Sequence, residues 1–102
     1  MKLIQAVKII TEAGLTPEMH YRAAKDDVCG EEALALFGVR NWHRETHGMF
    51  LPERDIVVCV IIQGGSVDRY SAERFKDDLA NGLAKGRERE ANVNAVFSSK
   101  AA

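Results

Sequence analysis

Between Val39 and Glu53 the sequence reads VRNWHRETHGMFLPE, and it gathers the side chains best able to grip another molecule. Arg40, Trp42, His43, Arg44 and His47 stand close together, Phe50 follows, and Arg54 is not far along the chain. Arginine binds phosphates and tryptophan stacks on an unpaired base, so such a patch suits nucleic acid. The same two residue types dominate protein–protein hot spots. The expected contact residues for a partner are therefore Arg40, Trp42, Arg44 and Phe50, with a core-capping Trp42 as the plainer reading.

The groups able to do covalent or metal chemistry do not assemble into a recognisable set. His43 and His47 are four apart and would share a metal on a helix, with Cys29 and Cys59 as third and fourth ligands. However, Glu45 is not where H-E-x-x-H requires its acid, and neither cysteine is paired in sequence. Cys59 lies in an apolar run, while Asp26, Asp27, Glu31 and Glu32 would raise the Cys29 thiol pKa rather than activate it. The acidic pairs Asp26-Asp27, Glu31-Glu32 and Asp77-Asp78 are sequence neighbours, which do not face each other on a helix. Gly64-Gly65-Ser66 lacks the signatures of a phosphate-binding loop and reads as a plain turn. No catalytic residue, metal or cofactor is expected, and a small metal- or cysteine-dependent enzyme ranks third among the functions considered.

A helix-turn-helix regulator binding DNA as a dimer ranks second. Two turns invite that comparison, Ala13-Gly14-Leu15-Thr16-Pro17 and Leu36-Phe37-Gly38-Val39. The net charge of −1, from 14 basic and 15 acidic residues, removes the general footprint of a nucleic-acid binder. With 102 residues, 46% apolar and 28% charged, residues 1–102 read as one globular domain. A domain of this size has a thin stability margin, which homodimerisation would supplement. The longest apolar run is too short for a bilayer span, and two cysteines make no disulfide scaffold, so a cytoplasmic protein without membrane contact is expected.

The elements that must position these groups centre on DIVVCVIIQGG, Asp55 to Gly65. Six Val or Ile residues and one Cys in succession favour a strand, and apolar residues on both parities predict cover on both faces, from this chain or a partner. Leu3, Ala6, Val7, Ile10 and Ala13 mark a first helix over Lys2 to Ala13, stopped by Gly14. Thr16-Pro17-Glu18 signals a second helix fading by Asp26-Asp27, although Met19, Tyr21 and Ala23 also alternate as a strand would, and Glu31 to Phe37 a short third helix. Asn41 to Thr46 reads as a strand with a turn at His47-Gly48, and Pro52 belongs at an edge or in a connection. Ser71 caps a helix over Ala72 to Lys85, with Tyr70 and Phe75 spaced as a hydrophobic staple and Gly86 ending it unless Arg87 to Glu90 carry it one turn more. Val93 to Phe97 alternates as a closing strand, which would make a right-handed parallel crossover. The expected fold is α+β: N-terminal helices packed on a small mixed sheet with a C-terminal strand-helix-strand unit. The expected function is a non-enzymatic binding protein, an adaptor or inhibitor acting by contact with another protein.

Overall fold

The structure, a computed structural model, describes residues 1–22, 33–67 and 70–100. Its elements in order are α1 (Leu3–Glu12), β1 (Thr16–Arg22), β2 (Ala33–Thr46), β3 (Met49–Gln63), β4 (Ser66–Val67) and α2 (Ala72–Lys100). The α+β class is as expected. The sheet, in the order β1-β2-β3-β4, is antiparallel at every pairing rather than mixed.

Helix α1 follows its apolar stripe and buries Ala6, Ile9 and Ile10. Gly14 has φ +80, its N–H donates to the Thr11 carbonyl, and the Leu15 N–H donates to the Ile10 carbonyl. That pair of bonds is a Schellman cap, and it folds Leu15 into the core. The chain then departs from the expected second helix, because Thr16–Arg22 is strand β1. Hydrogen bonding to the first half of β2, Ala33 to Val39, outweighs the helix-start signal, and Pro17 is tolerated because β1 is an edge strand. Residues 23–27 of that expected helix and the Cys29 site lie outside the described residues. The expected third helix is also replaced: Ala33–Phe37 opens β2, where strands on both sides use its backbone groups.

The Asn41–Thr46 strand is the distal part of β2, joined to β3 by a two-residue turn. His47 and Gly48 have φ of 50 and 78, the positive pair of a type I′ hairpin, which Gly48 meets without a Cβ penalty. Strand β3 begins at Met49, well before the apolar run. Pro52 sits where β3 has β2 on one side only, as its missing N–H requires. The register slips at Gly38/Val39: Gly38 pairs with Val58 but Val39 with Ile56, leaving Val57 as a bulge residue. The bulge switches the helix-facing set from Leu51, Glu53 and Asp55 to Val58, Val60 and Ile62.

Both helices pack on one side of the sheet. Phe75 and Ile10 are the largest fully buried side chains of a core that includes Leu36, Val58, Val60, Ile62, Val67 and Leu79. Among the described residues the expected cover on both faces of β3 is met on the helix side only, and the other face leaves Ile56 64% and Ile61 52% exposed. Ser71 Oγ accepts the Arg74 N–H, and the Tyr70 and Phe75 rings meet edge-on at 6.1 Å, so cap and staple form as expected.

The helix does not stop at Gly86, and residues 93–97 lie inside α2 rather than in a closing strand, so there is no parallel crossover there. The reason lies on the buried stripe: Phe75, Leu79, Gly82, Gly86, Glu90 and Val93 continue at three- and four-residue spacing along the side facing the hairpin. Gly82 and Gly86 serve close approach rather than termination. A Cβ at Gly82 would lie 2.2 Å from the Val57 carbonyl oxygen, and one at Gly86 3.1 Å from Asp55 Oδ2. The β2–β3 hairpin and α2 run out together, giving extents of 54 × 28 × 17 Å. The radius of gyration, 16.4 Å, exceeds the ~13 Å of a compact chain this long. Among the described residues no helix is long and apolar enough to cross a membrane.

Candidate functional site

Three of the four expected contact residues share one location, between β2 and α2, with Trp42 buried, Arg40 partly buried and the Arg44 side chain still 36% exposed. Arg40, Trp42 and Arg44 alternate along β2 and so point to the same side, towards the second half of α2. Trp42 is only 6% exposed, with the Arg40 and Arg89 guanidinium carbons 5.9 and 5.6 Å from its ring centroid. Arg40 Nη1 donates to Asp55 Oδ2 at 3.3 Å and Nη2 to Glu90, while Arg89 donates to the other Asp55 oxygen. Arg44 Nε lies 3.0 Å from Glu53 Oε1 without the alignment of a hydrogen bond, so that pair is a charge contact. The Trp42 indole N–H is buried with no acceptor among the described residues. Asn94 of α2 accepts the Glu45 backbone N–H at 3.4 Å.

These contacts tie both strands of the hairpin to the helix and make it a braced arm. Exposed ion pairs are worth at most about 1 kcal/mol each, whereas Asp55, 11% exposed in its side chain, anchors two arginines where solvent screening is reduced. Asp55, Arg89, Glu90 and the two glycines are residues that sequence reasoning missed. Two glycines four apart on a helical stripe, continuous with Phe75 and Leu79, were the available signal.

Phe50, the fourth expected contact residue, lies elsewhere. It stands at the arm's end, 68% exposed and on the face away from α2, with Met49 beside it at 56%. The same open face carries Pro52, Arg54, Ile56, Cys59 and Ile61 along β3, all exposed. Arg54 pairs with Glu18 of β1 across the intervening β2, and so passes over Val39, which is 2% exposed. His20 Nε2 lies 3.4 Å from Glu18 Oε1 and its ring stands 5.2 Å from Phe37. The hydrogen bond from Arg54 holds the Glu18 carboxyl below the usual carboxylate range, against the opposing effect of desolvation.

The other candidates are dispersed. His43 is on β2 and His47 in the turn; a strand separates such positions by ~13 Å rather than stacking them. Cys59 is exposed on the open face, and no group of three or more His, Cys, Asp or Glu able to hold a metal exists among the described residues. The Gly64-Gly65 turn offers the Gly65 carbonyl to the Leu3 N–H at the start of α1, so that amide is already used. Neither helix-turn-helix candidate is a helix pair: the first turn leads into β1 and the second lies inside β2. A cleft of about 680 Å³ opens between β3 and α2 beside Asp55, Val57 and Gly82. Four of its five charged residues, Arg54, Asp55, Asp78 and Arg89, are already engaged with other side chains. No family model, curated protein or solved structure matches the chain.

Proposed function

We propose that the protein is a non-enzymatic binding protein of the cytoplasm, an adaptor or inhibitor, which presents the end of the braced β2–β3 arm to another protein. The observation that carries this reading is the exposure of Phe50 and Met49, 68% and 56%, on a hairpin fixed to α2 by Trp42 and its flanking arginines. An aromatic residue held out on a rigid support loses little freedom when a partner closes around it, so more of its burial is realised as affinity. Arg40, Arg44 and Trp42 then act as bracing residues, and Phe50 as the contact. Protein is preferred over nucleic acid as the partner because Arg40, Arg44, Arg54 and Arg89 are each engaged by a carboxylate.

The test is photo-crosslinking in extract of the native host, with a benzophenone amino acid at position 50 and, as control, at exposed Ala84 on α2. A discrete protein adduct specific to position 50, and competed by unlabelled wild type but not by Phe50→Asp, is the expected result. Equal labelling from both positions would refute the arm-end contact.

A further inference from the structure

We propose that two copies of this chain associate face to face through the open side of the sheet, about a twofold axis running along β2. Strand β3 is apolar on both parities, yet the helices cover only one. On the other side Ile56, Cys59 and Ile61 stand exposed in a row along β3, beside half-buried Phe37 and buried Ala35 and Val39 on β2. Strand spacing and rise give about 500 Å² of this face between Pro52 and Gln63, or ~1,000 Å² for a pair of copies. That reaches the lower bound of a specific interface and fits a reversible dimer.

The charges on this face choose a second copy as the occupant. A twofold interface must complement itself. Glu18 lies at one border of the face on β1, and Arg54 at the other on β3. Rotation about an axis along β2 lays β1 of one copy over β3 of the other, so each Glu18 approaches the second copy's Arg54. The two intrachain pairs join into a ring of four alternating charges. The same axis leaves both arm ends pointing one way, which would give the dimer two neighbouring contact points. This association goes beyond the proposed function and does not depend on it.

Sedimentation equilibrium of the purified full chain tests it. The wild type is expected to dimerise reversibly with a Kd on the order of 10–100 µM, and Ile61→Lys to weaken association at least about tenfold. Glu18→Arg alone and Arg54→Glu alone place like charges at both contacts of their own homodimers and should each be monomeric. Mixed in equal amounts they should dimerise, because the mixed pair has opposite charges at both contacts. Far-UV circular dichroism confirms that each variant is folded, and the wild type alone supplies a readout that needs no variant. A wild type that stays monomeric at ~1 mM would overturn the proposal. So would a mixture no more associated than its components. Because only the purified chain is present, either failure leaves the arm-end contact with a different protein standing.

Discussion

Replacing Gly82 with alanine should destabilise this protein, although the same change inside most helices does the opposite. Alanine exceeds glycine in helix propensity by about 1 kcal/mol, so propensity alone predicts a gain. The new methyl would lie 2.2 Å from the Val57 carbonyl oxygen and 3.0 Å from Val57 Cγ1. The obstacle is a backbone oxygen in a paired strand, which no rotamer change can move. An ordinary C···O contact needs ~3.3 Å, so α2 must retreat by about 1 Å from β3. A gap of that size forfeits a quarter to a half of the dispersion between the facing groups, and overpacking typically costs about 1–3 kcal/mol. Leu79, about one turn before Gly82, and Leu83, the residue after it, would share the loss. The net expectation is a loss of about 1–2 kcal/mol, or a fall in Tm of roughly 5–15 °C for a domain of this size. Urea unfolding followed by circular dichroism and Trp42 fluorescence measures it. Ala84→Gly, on the exposed side of the same helix, supplies the propensity term separately. If Gly82→Ala raises the unfolding midpoint by the amount that Ala84→Gly lowers it, α2 does not approach β3 this closely and the packing account is wrong.

Asp55→Ala removes the shared partner of Arg40 and Arg89 and should cost about 2 kcal/mol, while Lys8→Ala, at the exposed Lys8–Glu12 pair, should change stability by only a few tenths of a kcal/mol. Equal midpoints for the two variants in urea would show that the arm is not braced by its charges. Trp42→Ala should cost about 3–4 kcal/mol, but Trp42→Phe only about 1, because the ring fills space and its N–H has no acceptor among the described residues to lose; a Phe variant as unstable as the Ala variant would reveal a hydrogen bond. Glu18 has a lowered carboxyl pKa when folded, so the unfolded chain takes up its proton more readily. The contribution is present above the unfolded-state pKa and is lost as pH falls through the folded value. Arg54→Ala should therefore raise the Glu18 pKa in an NMR titration and reduce the acid sensitivity of stability; an unmoved titration would dissociate the pair.

Signals confined to a few neighbouring residues were legible. Helix α1 and its cap follow from Leu3, Ala6, Val7, Ile10 and Gly14, the hairpin turn from His47-Gly48, and the start of α2 from Tyr70, Ser71 and Phe75. Each works because the interacting groups lie within about five positions, so the sequence contains both partners side by side. The patch Arg40, Trp42 and Arg44 was visible as a cluster but not as to its direction. Arginine and tryptophan suit an internal brace as well as a binding surface, and only α2 arriving over β2 separates the two.

The amino-acid sequence by itself determined the α+β class, the apolar strand and both helix starts, since propensity and hydrophobic period act locally. Tertiary structure decided that Thr16–Arg22 and Ala33–Phe37 are strands, because their hydrogen bonds are made between segments and outweigh local preferences below 1 kcal/mol per residue. It decided too that Gly86 lies within a helix, where close approach to Asp55 takes the place of a cap. Which face of β3 is covered was likewise beyond the pattern of residues, since apolar side chains stand on both parities and only the packing of both helices on one side leaves the other open.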